Sequence, residues 1–289
     1  MNKTFIMSAH RVTEPMKWCI EYLSSFKENT FIIHYDKKSN IDDVSHMKKE
    51  NVRIIPNRVN VSWGDLSQAE STLIMMREFL TLDSEYCFFI SGDDVPLVSN
   101  NDMNKILTEN NGVDFIDYMY NEPDNTVPIY RSSYNFISSF FIKNPKLSDV
   151  IKKKLFIVLK DFLYKNKSFL KNKEIMFPSG MYKGTNWFTL HRDSVSYIIK
   201  WADENDLSIL NGSLCIDEVL FHSILKPRYE LTDKKNKSSL RYIDWTTGPD
   251  YPRTLDDTDI AKIPKKSLFF ARKIKNDIRV VNEYKKFTY

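Results

Sequence analysis

The sequence predicts an α/β protein in which helices flank a largely parallel sheet. Short apolar strand patterns alternate with helical patterns through the first half of the 289-residue chain. In residues 65–80 the apolar side chains recur at three- and four-residue spacing, which is typical of a helix with one buried face. Strands that alternate with helices form parallel sheets, because each strand needs a crossover connection to reach the next.

The first half of the chain supplies four strands and two helices. The strands are short apolar runs bounded by polar or turn-forming residues, and each helix carries large apolar residues on one side. In chain order these predicted elements are strand Thr4–Ala9, helix Glu14–Phe26, strand Thr30–Tyr35, strand Val52–Pro56, helix Asp65–Leu80 and strand Tyr86–Ser91.

The second half is less regular. Turn-forming residues predict a loop over Asn121–Val127. No linker separates the segments that follow, so one domain over residues 1–289 is expected. These segments are, in order, helix Ile151–Lys173, strand Asn186–Leu190, helix Asp193–Trp201, helix Ile216–Leu225 and strand Arg241–Trp245.

Composition argues against several classes of protein. The chain is 42% hydrophobic and 28% charged, without low complexity or repeats, which excludes a disordered or solenoid protein. A net charge of +4 is too small to indicate a nucleic-acid partner. No apolar run reaches the length of a membrane span. The N-terminal pattern is typical of a core strand and too short in its apolar part for a signal peptide.

The three cysteines indicate the compartment. Cys19, Cys87 and Cys215 are odd in number, lie in apolar segments and form no Cys-x-x-Cys pair. They are therefore expected to be buried, reduced thiols and neither a disulfide framework nor a zinc site. A cytoplasmic protein is expected.

The most informative stretch is residues 88–97, where an apolar strand runs into a Gly-Asp-Asp turn. Pro96 prevents the strand from continuing, so Asp93 and Asp94 would lie at the carboxyl edge of the sheet. Open α/β sheets bind their ligands at this edge. Further polar groups would reach the same edge after other strands or at a helix start: His10, Asp36 and the pair Asp217-Glu218.

Each of these groups also has an ordinary structural explanation. His10 could be a hydrogen-bonded core histidine and Asp36 a turn residue. Acids such as Asp217 and Glu218 stabilise a helix N-terminus through the helix dipole. Trp63 could simply fill a gap beside a loop glycine. The order in which the motifs occur is more specific than any one of them.

That order resembles the family of core-2/I-branching β-1,6-N-acetylglucosaminyltransferases and peptide O-xylosyltransferases. The resemblance spans residues 3–275, roughly the whole chain. Its pieces are Ile33-His34-Tyr35-Asp36-Lys37-Lys38, Ser62-Trp63-Gly64, Ser91-Gly92-Asp93-Asp94-Val95-Pro96-Leu97, Gly184-Thr185-Asn186-Trp187-Phe188-Thr189-Leu190, Asp217-Glu218 and Phe270-Ala271-Arg272-Lys273.

The resemblance implies an inverting glycosyltransferase of the GT-A fold, with a Rossmann-like, mostly parallel mixed sheet flanked by helices. Residues 1–120 would form the nucleotide-binding half and residues 121–289 the acceptor and catalytic half. In this family an Asp-Glu pair supplies the catalytic base, which falls on Glu218 here. Such a base takes the proton of an acceptor hydroxyl as this group attacks the anomeric carbon.

The resemblance also implies that basic side chains, and not a metal ion, meet the charge of the departing nucleoside diphosphate. Lys273 is the first candidate for this contact, and Arg253 lies roughly where the family has a partner arginine. Gly92 stands where the metal-binding Asp-x-Asp motif of most GT-A enzymes has its first acid. Since adjacent carboxylates on an extended segment point apart, we expect no metal cofactor, with Asp93 and Asp94 in the substrate site.

Other motif residues are substrate-binding candidates through the resemblance. His10 and Asp36 match positions near the uridine pocket, where Asp36 could accept hydrogen bonds from the base or ribose. Trp63 and Gly184 belong to the matching motifs. Trp187 would line the donor or acceptor pocket, since sugars pack on aromatic rings, and core packing is the alternative.

Residues 151–173 contain eight lysines interleaved with apolar residues. The pattern predicts either a solvated helix face or a basic amphipathic segment on an anionic membrane leaflet. The second interpretation would place the enzyme at the inner face of the membrane, next to a lipid-linked acceptor.

The expected function is transfer of a sugar, with GlcNAc as first choice, from a UDP-sugar to a hydroxyl of a glycan acceptor. The absence of an anchor favours a bacterial enzyme of surface polysaccharide or lipo-oligosaccharide synthesis. Three alternatives stay open. They are a UDP-xylose or other UDP-hexose transferase, a metal-dependent nucleotidyl or phosphoryl transferase using Asp93 and Asp94, and an inactive module that binds sugar nucleotides.

Overall fold

A seven-stranded mixed sheet organises the computed structural model, which describes residues 1–119, 126–142, 145–165, 177–248, 251–264 and 267–289. The order of its strands is β3-β2-β1-β4-β7-β6-β8, and a smaller sheet has the order β5-β10-β9. The strands are β1 Lys3–Ala9, β2 Asn29–Tyr35, β3 Val52–Ile54, β4 Tyr86–Ser91, β5 Val95–Pro96, β6 Asp114–Phe115, β7 Thr189–His191, β8 Asn236–Lys237, β9 Arg241–Ile243 and β10 Phe270–Arg272.

The helices connect these strands. None of the helices in the described ranges combines the length and apolar character needed to cross a bilayer. They are α1 Glu14–Leu23, α2 Asp42–Ser45, α3 Leu66–Leu80, α4 Asn100–Glu109, α5 Thr126–Ser133, α6 Leu147–Lys165, α7 Arg192–Glu204, α8 Asp217–Leu231 and α9 Ile278–Lys285. Short 3-10 helices cover Ser138–Phe141, Leu207–Leu210, Asp257–Lys262 and Lys286–Thr288.

Strand β1 lies at the centre of the large sheet. It pairs in parallel with β2 on one side and with β4 on the other, so that Phe5 lies opposite both Phe31 and Phe88. Strand β7 then joins β4 in the antiparallel direction. Because the chain leaves β1 toward β2 and later returns in β4, a crevice opens outside the carboxyl ends of β1 and β4.

Both faces of the sheet are covered, which requires apolar side chains on both sides of each central strand. On one face Ile6 and Phe89 pack with side chains of α3, α7 and α8. On the other face Phe5 and Phe88 pack with side chains of α1 and α4 and with Phe270 of the smaller sheet. This mixed, mostly parallel sheet flanked by helices confirms the predicted fold class.

Most predicted elements are present with bounds shifted by a few residues. The predicted strand Asn186–Leu190 begins later, at Thr189, although the Phe188 carbonyl already accepts from the Phe89 amide at 2.9 Å. The Asn186 and Trp187 side chains contact Asp217 of α8 and Arg272. Helix α6 begins earlier than predicted, at Leu147, and the predicted residues 166–173 lie outside the described ranges.

The prediction of a loop over Asn121–Val127 is wrong for its last two residues. Thr126 and Val127 begin α5, whose third residue is Pro128. A proline in the first turn of a helix costs no intrahelical hydrogen bond, so the turn-forming residues here precede a helix. The remainder of the predicted loop lies outside the described ranges. The cysteines are buried and free, as expected.

Candidate active site

Three chain segments meet at the crevice outside β1 and β4. Thr13 is the N-cap of α1 and accepts a hydrogen bond from the Met16 amide, while its hydroxyl donates to the Gly92 carbonyl. The Asp93 carbonyl in turn accepts from the Ile274 amide at 2.9 Å. The start of α1 and the segment after β10 are therefore both attached to the Gly-Asp-Asp turn.

Two cations converge on the Asp93 carboxylate. Arg11 Nη2 lies 3.1 Å from Oδ1, and Lys273 Nζ lies 3.6 Å from Oδ2. The Asp93 side chain is largely buried, whereas the Arg11 and Lys273 side chains are 51% and 27% exposed. Both positive groups are thus accessible at the crevice. Arg11 was not predicted, because only the fold brings it to Asp93.

Asp94 serves different partners. Its carboxylate accepts hydrogen bonds from the Ser91 amide at 2.7 Å and the Ser91 hydroxyl at 3.1 Å, and Arg272 Nη1 lies 3.4 Å away. Burial raises the pKa of Asp94, and the neighbouring Arg272 opposes this shift. The two adjacent carboxylates contact separate partners, although they lie in a turn, closed by the Asp94 amide on the Ser91 carbonyl at 3.3 Å, and not on the extended segment that the prediction assumed.

Trp187 is held from two directions. The Arg272 guanidinium carbon lies 3.2 Å from the centroid of the Trp187 ring, and Phe89 stacks with Trp187 at a centroid distance of 5.1 Å. Arg272 is buried, and burial lowers its pKa. These contacts favour the packing interpretation of Trp187, with one consequence for the site: its ring supports the residue that precedes Lys273.

Glu218 lies in the first turn of α8, where its carboxylate contacts two further cations. Arg131 Nη1, from α5, lies 2.5 Å from Oε2, and Lys183 Nζ, from the segment before β7, lies 3.0 Å from the same oxygen. The Glu218 side chain remains 23% exposed. Two cations therefore contact a carboxylate that is still accessible to solvent. Neither Arg131 nor Lys183 was predicted.

Gly184 attaches the segment 184–187 to α8. Its amide donates to the Glu218 carbonyl at 3.0 Å. A Cβ atom at this position would lie 1.9 Å from the Asp117 carbonyl oxygen and 2.3 Å from His222 Nε2, so only glycine fits. The structure thus gives Gly184 a packing reason, and a contact of Gly184 with substrate stays a prediction.

Asp217 is buried beside Glu218. Its Oδ2 accepts a hydrogen bond from Asn186 Nδ2 at 2.9 Å. Burial and the neighbouring Glu218 carboxylate raise the pKa of Asp217 to about 7. The acidic pair therefore divides into a buried member that binds the 184–187 segment and a more exposed member that faces two cations.

Asp36 closes a turn after β2. Its Oδ1 accepts from the Lys38 amide at 2.9 Å and from the Val61 amide at 3.5 Å. Lys38 Nζ lies 3.5 Å from Oδ2. These contacts match the ordinary turn interpretation, and the predicted contact with uridine is left as a prediction.

His10 and Trp63 lie at the same edge of the sheet. His10 follows β1 directly, is exposed, and its carbonyl accepts from the Ser39 hydroxyl at 2.5 Å. Trp63 is 43% exposed and precedes Gly64, whose carbonyl accepts from the Cys215 amide just before α8. Trp63 is therefore placed beside the start of the helix that carries Glu218.

Arg253 is engaged elsewhere. Its Nε donates to Asp244 at 2.9 Å, and Nη1 and Nη2 donate to the two oxygens of Asp259 at 2.9 and 2.5 Å. Hydrogen bonds to Asp259 and Asp244 raise the pKa of Arg253. A diphosphate contact from Arg253 would require its guanidinium to leave both carboxylates.

In the described part of the chain, Asp93 and Asp94 belong to no group of three or more metal-binding side chains. Within the described ranges, no three or more His, Cys, Asp or Glu side chains are grouped so that they could hold a metal ion.

Comparison with known proteins gives one family. The sequence profile of the core-2/I-branching enzymes matches residues 4–268. No curated protein matches the chain significantly. Among solved structures, a Bacillus anthracis protein provisionally described as a glucose-1-phosphate thymidylyltransferase, in complex with sucrose, is 14% identical, with 82% of this chain and 87% of that chain covered and a TM-score of 0.40. A likeness at that TM-score carries no conclusion.

Asp217→Asn tests the burial of the acidic pair. The folded state binds the proton of the Asp217 carboxyl group more tightly than the unfolded state does. Protonated Asp217 therefore contributes its full stability below about pH 4. This contribution is lost as the pH rises toward about 7. The variant is neutral throughout, so its unfolding temperature relative to wild type should rise between about pH 4 and pH 7. It should level off above about pH 7, where wild-type Asp217 is ionised in both the folded and the unfolded state.

Thermal unfolding monitored by circular dichroism measures this difference. Asp233→Asn removes an exposed carboxylate and is the control, which should show no such trend. A difference for Asp217→Asn that stays constant with pH would contradict the buried environment described for this group.

Proposed function

The chain belongs to the core-2/I-branching enzyme family, a family of glycosyltransferases, and from this premise we propose that it transfers GlcNAc from UDP-GlcNAc to a hydroxyl of a glycan acceptor. The transfer inverts the anomeric carbon and uses no metal ion. The acceptor belongs to a bacterial surface polysaccharide or lipo-oligosaccharide.

The observation that carries this proposal is the setting of Glu218. A general base needs a fixed, accessible carboxylate within reach of the acceptor. Arg131 and Lys183 hold the Glu218 carboxylate at the start of α8. Both cations contact Oε2, and we assign proton uptake to Oε1.

The reaction is one in-line displacement. The acceptor oxygen forms a bond to the anomeric carbon while its proton passes to Glu218. The bond from that carbon to the diphosphate oxygen breaks, and UDP leaves with the electron pair. Attack opposite the leaving group inverts the configuration, so no second carboxylate nucleophile is needed.

The cations at Asp93 suit the leaving group. A departing diphosphate gains negative charge, and fixed positive groups stabilise that charge in the transition state. Arg11 and Lys273 are both exposed in part and share one carboxylate. We assign both to the diphosphate, which would compete with Asp93 for them. Arg11 joins Lys273 here because of its position alone.

Glu218→Gln preserves the shape of the proposed base and removes its capacity to take a proton. We expect turnover to fall by about 10²-fold or more, with UDP affinity kept. The donor is chosen as the UDP-sugar that most raises the unfolding temperature of the wild-type protein. Turnover is measured as UDP release from this donor, and UDP affinity is measured by calorimetry.

Glu230→Gln is the matched control, since Glu230 is exposed on the same helix, and it should behave as wild type. Normal turnover in Glu218→Gln would exclude Glu218 as the base. Stronger stabilisation by UDP-xylose, or by a UDP-hexose other than UDP-GlcNAc, would change the donor and leave the base in place.

Lys273→Ala and Arg11→Ala test the leaving-group site. Each substitution removes a charge-assisted contact, so UDP should bind about tenfold more weakly or worse in each variant. For Arg253→Ala we expect unchanged UDP affinity and a lower unfolding temperature, because its guanidinium is occupied by Asp244 and Asp259.

Calorimetry with UDP and thermal unfolding separate these outcomes. Lys275→Ala, at an exposed lysine two residues beyond Lys273, is the control. Wild-type affinity in both Lys273→Ala and Arg11→Ala would refute the assignment. A loss of affinity in Arg253→Ala would restore the arginine that the family resemblance implied.

Chelation tests the proposed metal independence. Asp93 and Asp94 point to separate cationic partners, and this arrangement supports charge compensation by side chains. We expect full turnover in excess EDTA and no gain from added Mn²⁺ or Mg²⁺. Turnover that returns only with one of these ions would contradict the proposed metal independence.

A further inference from the structure

Helix α6 presents an apolar stripe to solvent. Leu147, Ile151, Leu155 and Val158 follow one another at spacings of four, four and three residues, which places them on one face of the helix. Their side chains are between 57% and 77% exposed. The stripe is about 16 Å long at the rise of an α-helix. An aligned set of large apolar side chains in water marks a surface that binds something.

The opposite side of α6 is packed. Phe156 contacts Phe136 and Phe140 with ring centroids 5.7 and 5.3 Å apart. Phe136 also contacts Tyr130 of α5 at 5.4 Å. The helix is thus attached by its inner, aromatic face, and the apolar stripe is its outer surface.

Lysines border the stripe on both sides. At 100° per residue, Lys154 falls on one side of the stripe and Lys152 on the other, and both are exposed. The acid in the first turn, Asp149, is turned inward, where its Oδ1 accepts from the Ser139 hydroxyl at 3.3 Å. The outer face therefore combines apolar and positively charged groups.

We propose that the outer face of α6 docks on the surface of an anionic phospholipid bilayer. The apolar stripe would enter the boundary between headgroups and acyl chains, and Lys152 and Lys154 would contact lipid phosphates. This is the composition of a helix that lies in a membrane interface. A second copy of the chain fits less well, because two α6 faces would bring like charges together.

The docking surface is connected to the proposed site. From Phe156 the contacts lead through Phe136 and Tyr130 to α5, whose Arg131 contacts Glu218. An acceptor held in the bilayer by a lipid would then approach the enzyme from the side of α6. Only this last consequence rests on the proposed function. Bilayer binding is measured without donor or acceptor and can fail independently of it.

Vesicle sedimentation with the full chain tests the proposal. Binding to phosphatidylcholine vesicles that contain phosphatidylglycerol is expected at low salt, and it should be lost at high salt or without the anionic lipid. The double variants Ile151→Asp with Leu155→Asp and Lys152→Glu with Lys154→Glu should each lower the partition coefficient about tenfold or more.

Leu231→Asp is the matched control, because Leu231 is 80% exposed at the end of α8, and it should bind vesicles as wild type does. Unfolding temperatures verify that each variant is folded. The proposal is overturned if wild type fails to bind anionic vesicles, or if the α6 variants bind them unchanged. It is equally overturned if α6 variants abolish a dimer in sedimentation equilibrium while wild type ignores vesicles.

A fluorescent label reports which face enters the lipid. The native cysteines are buried, so a dye on Val158→Cys is selective. Its emission should shift to the blue on anionic vesicles, whereas a dye on Leu231→Cys should not respond. A response at Leu231→Cys without one at Val158→Cys would place the membrane contact elsewhere and exclude α6.

Discussion

The parallel pairing of β1 with β2 on one side and β4 on the other is the constraint on which the site depends. It aligns the carboxyl ends of three strands, so the loop after β1 and the Gly-Asp-Asp turn after β4 share one crevice. Arg11 and Asp93 are neighbours only because of this register. Since a shift by one residue would move every strand side chain to the other face, the packed apolar clusters on both faces fix the register.

Each carboxylate of the site except Asp217 lies beside at least one cation. Buried carboxylates are costly unless cations or hydrogen bonds accompany them. Asp94 shows the balance, since burial raises its pKa despite the neighbouring Arg272. Asp93 and Glu218 are more accessible than Asp94, and each carboxylate contacts two cations of its own. In the proposed reaction, the diphosphate of the donor would enter by exchange with the Asp93 carboxylate, without bringing a counter-ion of its own.

The sequence was sufficient for the elements with strong patterns and for the acids at their ends. Strand β4 matches its predicted bounds, and Glu218 lies in the first turn of a helix as its position suggested. Arg131 could not be predicted, because it lies 87 residues from Glu218 in a segment without a regular apolar pattern. Arg253 shows the converse: a motif position identified it, but nearby acids engage its guanidinium.

The segment 184–187 connects Glu218 to Arg272, the residue before Lys273. Gly184 is bonded to the backbone of Glu218, and Trp187 stacks with Arg272, the residue before Lys273. An in-line displacement requires the base and the leaving-group cations to lie on opposite sides of the anomeric carbon at a fixed separation. Packed protein interiors are nearly incompressible. This short segment would therefore keep the distance between Glu218 and Lys273 constant. In the proposed reaction, the glycine required at position 184 would then serve the spacing of the site as well as its packing.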